Sequence, residues 1–243
     1  MHVTGIIFAC VDTDVDNLEA WNRWYDLEHL PPNIALDGIM SGRRYAADPA
    51  LHEARLPAEP MAGFAGGQGT NVTIYTLCGD PPAVIADMTS TRDVLEAAGR
   101  MDGAGNRVVR AGDAMHYVWG LAPAAYRADH HDIPLTAHDG LRVVLRRGDD
   151  DAVRDTVAPQ AIEVDGVHAV CSFTSVFMAG MSCELYLLEG DTAAVTSVLR
   201  DAAPHPDGVE VLLDAPFASI TPFDYRYVER IRGSWMPQRI DQP

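Results

Sequence analysis

The chain has 243 residues, 47% of them hydrophobic and 22% charged, enough to bury a sizeable core in one or two globular domains. Its net charge is −17 and all eighteen basic residues are arginine, so it lacks the basic surface that nucleic acid or an anionic membrane requires. A small anionic substrate stays compatible with that charge, because a local arginine pair outweighs a distant field.

The start, Met1-His2-Val3-Thr4-Gly5, has no basic segment before its apolar stretch and reads as a first strand, not a signal peptide. No apolar run approaches the roughly 20 residues of a membrane span. Thr4 to Val11 is the first strand. Asp12 to Asp16 offers N-cap groups for a helix over Asn17 to Leu30, which Pro31-Pro32 should stop. Ile39 to Ala46 and the β-branched stretch Asn71 to Cys78 are the second and third strands. Pro81-Pro82 opens a helix to about Gly99. Val108 to Leu121 holds the fourth strand, with a turn expected at Gly112-Asp113. The loop Pro57 to Thr70, with Met61 and Phe64, reads either as a lid over a cleft or as a mobile, inert segment.

The order then recurs: a strand at Leu141 to Arg146, a helix within Asp151 to Glu163, strands at Val167 to Phe177 and Cys183 to Leu188, a helix at Thr192 to Ala202 and a strand at Val209 to Ile220. Self-similarity supports it. Ile74-Tyr75-Thr76-Leu77-Cys78-Gly79-Asp80 is echoed 111 residues on by Leu185-Tyr186-Leu187-Leu188-Glu189-Gly190-Asp191, and Asp37-Gly38-Ile39 is echoed 128 residues on by Asp165-Gly166-Val167. The fold class is therefore α+β: two ferredoxin-like β-α-β-β-α-β halves, 1–125 and 139–243, joined by a polar linker, 126–138, which carries His130, His131 and His138. The linker's His130 and His131 admit a metal reading, but a solvated connection is favoured. Each half leaves one apolar sheet face, and packing the two faces together makes a pseudo-two-fold barrel. Cys10, Cys78, Cys171 and Cys183 form no C-x-x-C pair and read as buried thiols of a cytoplasmic protein.

The first helix carries Trp21-Asn22-Arg23-Trp24-Tyr25-Asp26-Leu27-Glu28-His29-Leu30-Pro31, followed by Gly38 and by Arg43-Arg44-Tyr45 on a strand. Tyr25 and His29 share a helix face, and Asp26 lies three residues before His29 and within its reach. A carboxylate beside an imidazole raises its basicity, so His29 is a candidate acid/base. The plainer reading has His29 serving the exposed carbonyls of the helix end. Trp21 and Trp24 have core-like spacing. Arg43 and Arg44 alternate across their strand, so at most one faces a cleft. Tyr45 shares the face of Arg43. Tyr75, His116, Tyr117 and Trp119 complete the substrate-binding candidates, with His116 on the opposite face from Tyr117 and Trp119.

These motifs resemble the dimeric α+β barrel superfamily, and within it the proteins similar to those of ethyl tert-butyl ether degradation (EthD-like), which show a W-Y-x-x-E-H-x-P helix before a strand of R-R-Y type. The second half lacks that signature. The resemblance implies a His29 facing the cleft and a cofactor-independent lyase, isomerase, cyclase or dehydratase acting on a small apolar or aromatic carbonyl compound, with Arg43 stabilising an enolate-like anion. Two alternatives come with it. One is haem or oxygen chemistry with His29, His116 or His168 as axial ligand. The other is a non-catalytic small-molecule-binding protein. No metal motif, phosphate loop or nucleophile elbow is present. Neither nucleic acid nor membrane is an expected partner; a homodimer is compatible.

Overall fold

A computed structural model describes residues 2–101, 103, 105–127 and 129–233. Eight strands form one closed barrel: β1 (Gly5–Thr13), β2 (Ile39–Ala46), β3 (Asn71–Leu77), β4 (Arg107–Leu121), β5 (Gly140–Arg147), β6 (Val167–Ser175), β7 (Met181–Leu188) and β8 (Glu210–Ser219). Round the barrel the order is β1-β3-β2-β8-β5-β7-β6-β4, so each half contributes a contiguous block, β4-β1-β3-β2 and β8-β5-β7-β6. All pairings are antiparallel. The interior is filled by alternate residues of both halves, among them Phe8, Val72, Ile74, Val143, Cys171, Phe173, Leu185 and Phe217. Burying these two apolar faces against each other is the main drive for closing the barrel.

Helix α1 (15–34) covers the first sheet and does not stop at Pro31-Pro32. It runs through a 3-10 turn, Val15–Asn17, an α segment, Leu18–Trp24, a π segment, Tyr25–His29, and a last α segment, Leu30–Ile34. The wide turn carries the Leu30 N–H to Tyr25 O. The prolines that follow, having no N–H, lose no bond there. Helix α4 (150–161) repeats the device, with a π segment at Val153–Val157 before Pro159. Gly42 lets α1 lie close over β2, since a Cβ there would meet Leu30 Cδ1 at 2.7 Å and Ile34 Cγ2 at 3.0 Å. Helices α3 (Pro81–Ala97) and α5 (Thr192–Ala202) complete the two layers; α2 (Pro49–Glu53) and α6 (Tyr227–Gly233) were not expected.

Other expectations are corrected. β4 is one strand, with no turn at Gly112-Asp113; Gly112 pairs with Ala9, and the irregularity is a bulge at Arg110. A second bulge between Tyr117 and Trp119 breaks the expected alternation. It leaves Tyr117 against the barrel interior, edge-on to Phe173 at 5.7 Å, and puts Trp119 in the helix-side core with Val144 and Val157. The loop at 57–70 is neither lid nor inert. Phe64 is buried in the barrel core, and the backbone N–H groups of Gly69 and Thr70 donate to the Asp12 carboxylate at 2.9 and 2.7 Å. The stretch between the halves is no solvated spacer either: Ile133 and Pro134 are buried in a 3-10 helix, His130–Leu135. The loop closes the barrel near the end of β1, and the linker closes it near the start. Closure also pairs the sheet edges, outside one gap described below.

If Phe64 is a plug, Phe64→Ala should cost about 3–5 kcal/mol in urea unfolding. A mobile loop would give almost no change.

Candidate functional site at the open seam

Two seams join the halves. At one, β4 and β6 pair over six positions, from Met115↔Ser175 to Leu121↔Val170. At the other, β2 and β8 pair at only two, Tyr45↔Ser219 and Ala46↔Ala218. Beyond Ser219 the chain makes one more backbone bond, Ile220 N–H to Arg44 O, and then leaves the sheet through Pro222, which has no N–H to give. It is drawn outward to α1. The Tyr225 hydroxyl donates to Asp26 at 2.6 Å, and the Tyr227 hydroxyl meets Asn22 and Asn71.

The departure opens a cavity of about 330 Å³ beside Gly42 and Arg43. Its walls come from α1 (Asp26, Leu30), β2 (Arg43, Arg44), the linker (Ala137, His138) and the segment 219–222. Arg43 points to this side. One terminal nitrogen donates to Thr136 O at 2.7 Å and lies 3.1 Å from His138 Nδ1; the other donates to Leu135 O at 3.2 Å. His138 Nδ1 lies 2.7 Å from Thr136 O, and its Nε2 lies 2.7 Å from the Tyr45 hydroxyl. These contacts fit a neutral imidazole with its proton on Nδ1 and Tyr45 donating to Nε2. Burial lowers the His138 pKa to about 4; the Thr136 carbonyl opposes that shift and the Arg43 charge adds to it. Burial also pushes the Tyr45 phenol up, so the phenol keeps its proton.

Arg44 faces the other way, as strand alternation requires. It is buried under α1, bonded to Asp26 at 2.7 Å and to Asn22, and sits over the rings of Trp21 at 4.9 Å and Tyr25 at 4.3 Å. Asp26 therefore serves Arg44 and Tyr225, not His29. His29 is stacked on Trp24 at 4.9 Å and set edge-on to Tyr25 at 4.7 Å, and its buried Nδ1 has no hydrogen-bond partner. Burial, reinforced by Arg107 and Arg44, lowers its pKa to about 4. With no carboxylate partner and no place in the cavity wall, the expected Asp26–His29 pair is absent. Trp21, Trp24 and Tyr25 are core residues, and the Tyr25 hydroxyl meets Tyr75 at 3.2 Å. His116 is exposed on the outer face of β4. Of the expected site residues, the structure gathers Asp26, Arg43 and Arg44 round the cavity, with Tyr45 behind His138.

Sequence reasoning missed two things. His138 was noticed only as part of a polar stretch, although its spacing from Arg43 and Tyr45 carried no signal. The second half, which looked bare, holds a buried charge network on its helix-facing side. Arg142 pairs with Asp214 at 2.7 Å, Arg146 pairs with Glu184 at 2.7 Å, and Arg200 also bonds Asp214. Burial raises the Glu184 carboxyl to about 7 against the Arg146 charge. Burial would raise Asp214 too, but hydrogen bonds from His205, Arg142 and Arg200 hold it well below the usual carboxylate range. Alternation was the available signal: Arg142, Val144 and Arg146 share a face with Glu184 and Tyr186 across the ladder.

The eight-strand closure, the repeated strand order and the outer helices decide the fold. The chain has the fold of a dimeric α+β barrel within one polypeptide. Among solved structures it is similar to a chlorite dismutase from Candidatus Nitrospira defluvii (TM-score 0.52, 10% identity, 95% of each chain covered). It is also similar to a candidate chlorite dismutase (TM-score 0.51, 10% identity, 95% of this chain and 99% of that one). At such identity the likeness concerns the barrel alone. No protein-family model and no curated protein sequence matches the chain. Among the described residues of the barrel, no helix is long and apolar enough to cross a membrane.

Two predictions follow from these burials. His29, His52 and His138 are held near pKa 4, 3 and 4, below the usual 6.5. The unfolded chain takes up protons below 6.5 that the folded one refuses, so stability is full above pH 6.5 and falls as the pH drops toward 4. Glu184 acts in the opposite sense between 4.5 and about 7, where the folded form holds the extra proton. Urea midpoints across pH 7.5 to 4.5 should decline, and a His29→Gln/His138→Gln variant should flatten the decline. Separately, Asp26→Asn should cost about 3 kcal/mol or more by leaving Arg44 buried without its counter-charge. If Asp26 served His29 instead, global stability would hardly move.

Proposed function

We propose that the seam cavity binds a small, partly apolar molecule bearing a carboxylate or enolisable carbonyl, and that the barrel is a cofactor-independent enzyme of lyase or isomerase type. One observation carries the reading: the open seam brings the Arg43 guanidinium, with His138 and Tyr45 hydrogen-bonded beside it, to the wall of a cavity whose apolar lining includes Leu30, Ile220 and Pro222 and which the Asp26–Arg44 ion pair also borders. Arg43 has five N–H donors, and its bonds to the two linker carbonyls use two of them. Such a fixed guanidinium binds a carboxylate, and it stabilises an enolate as charge develops on oxygen. His138 is the acid/base candidate in place of His29. To act as a base at Nδ1 the ring takes its other neutral tautomer, with Nε2–H donating to the Tyr45 oxygen and the Nδ1 lone pair turned from Thr136 O toward the substrate proton it accepts.

Haem fits poorly. His29 is stacked in the helix layer, His116 is exposed on the outside, and His168 lies 3.4 Å from the Glu189 carboxylate at the surface. None of them lines the cavity, and both ring nitrogens of His138 are engaged. That last fact favours a second reading, a binding protein without turnover.

Benzoate and a β-keto acid, tested by thermal shift and by NMR titration, should bind saturably. Arg43→Gln should weaken binding roughly 10- to 100-fold, the worth of a hydrogen bond to a charged group. Ala137→Phe, which fills the cavity, should abolish binding; unchanged binding in that variant would sink the site. If His138→Gln keeps affinity but stops consumption of the β-keto acid, the enzyme reading holds. Binding with no consumption by the parent protein supports the second reading.

A further inference from the structure

Away from the cavity, His2, Asp129, His130 and His131 converge where the N-terminal arm crosses the linker. The metal-binding atoms of Asp129, His130 and His131 all lie within 4.8 Å of one another. The His130 and His131 rings are 4.1 Å apart, and the His2 ring is 5.2 Å from that of His131. Two neighbouring imidazoles beside a carboxylate are common on solvated loops. What separates this cluster is how the rings are held.

His131 Nδ1 lies 3.2 Å from the carbonyl of Val3, on the arm that leads into β1. His130 Nδ1 lies 3.2 Å from the Tyr117 hydroxyl, which itself donates to His130 O at 2.8 Å. With each Nδ1–H spent on a neighbouring oxygen, the lone pair sits on Nε2 in both rings. This is the arrangement by which proteins fix the tautomer and direction of a metal-ligating histidine. Asp129 is fixed too: its carboxylate accepts the His131 backbone N–H at 2.9 Å and lies 4.0 Å from His130 Nε2. Ligand atoms round one tetrahedral ion at about 2.1 Å stand roughly 3.4 Å apart, so these side chains, two of them exposed and His131 half-buried, close by about an ångström on binding. The chain's net charge of −17 favours cations throughout.

We propose that Asp129, His130 and His131, with His2 beside them, form a binding site for a borderline divalent cation of the Zn²⁺ or Ni²⁺ kind. Nitrogen-rich, mixed imidazole and carboxylate donors select such ions over Ca²⁺ or Mg²⁺. Bound there, the ion ties the N-terminal arm to the linker. The same linker supplies the Leu135 and Thr136 carbonyls that hold Arg43, so the ion would brace the cavity wall from outside. The site does not depend on what the cavity does.

The test is calorimetric titration of untagged, chelator-treated full chain with ZnCl₂, together with Co²⁺ absorption. The expected result is one Zn²⁺ per chain, a raised Tm, and visible Co²⁺ bands of a nitrogen-ligated site. His130→Ala/His131→Ala should lose at least tenfold in affinity. Asp129→Asn, which keeps the acceptor for the His131 N–H but loses the charge, should weaken binding less. His168→Ala, at a separate surface histidine, should bind as the parent does. The proposal is overturned if the parent shows no stoichiometric Zn²⁺ binding, or if the double variant, with parental Tm in chelator, binds as the parent does. Equal affinity for Mg²⁺ would overturn the ion class.

Discussion

Everything distinctive about this molecule depends on how a barrel made of two sheets is closed. A closed ladder satisfies every strand's backbone groups and leaves no edge. It needs two seams, and here they are unequal. The β4–β6 seam is zipped through Leu121, whereas the β2–β8 seam stops after Ala46↔Ala218 and Tyr45↔Ser219. Gly42 and Arg43 of β2 and residues 219–222 border the cavity at that gap. The departure of the chain at Pro222 is held by specific bonds, since Tyr225 and Tyr227 reach polar atoms of α1 and β3. The gap is therefore a built feature.

The buried arginines show a second asymmetry. Each sheet presents a helix-facing side that is mostly apolar but encloses guanidinium groups. In the first half Arg44 sits on β2 and reaches up into α1, between two aromatic rings and a carboxylate. In the second half the position 128 residues on is Ser172, and the charges lie instead on β5, as Arg142 and Arg146. A buried ion pair adds little net stability over an apolar pair of the same volume, but it is costly to break. Its geometry is demanding, so it fixes the register of helix on sheet. The two halves thus use the same device from different strands.

How much of this was legible follows from the range of each signal. Strand and helix positions come from local periodicity and from the repeat, and β2 and α5 fall on the expected residues. The partition of Arg43 and Arg44 to opposite faces was also readable, because alternation is a property of the strand itself. Alternation failed at Tyr117 and Trp119, where a bulge resets the phase and no residue announces it. Pro31-Pro32 misled because a π turn removes the penalty that prolines normally exact, and i→i+5 pairing has no sequence signature. Asp26 and His29 were matched by spacing on one helix, but spacing shows only what can meet. Arg44 and Tyr225, brought in by tertiary structure, outcompeted the imidazole for that carboxylate. His138 is 95 residues from Arg43, and such a contact lies beyond any local pattern.

The fused chain gives a reason for two unequal seams. Were two identical copies related by a true two-fold axis, both seams would be the same, open or closed together. Opening both would forfeit ladder bonds on each side of the barrel, and closing both would leave no site. Fusion lets the halves diverge. The second half supplies the closed seam through β6 and the dense charge lock of Arg146, Glu184, Arg142 and Asp214. The first half carries the aromatic helix and Arg43, and the cavity lies where the second half's last strand lets go of it. The linker, which exists only because the halves are fused, then adds His138 to the wall. A cavity assembled from one half, the end of the other and the joint between them is available to a tandem chain and to no symmetric pair of such halves.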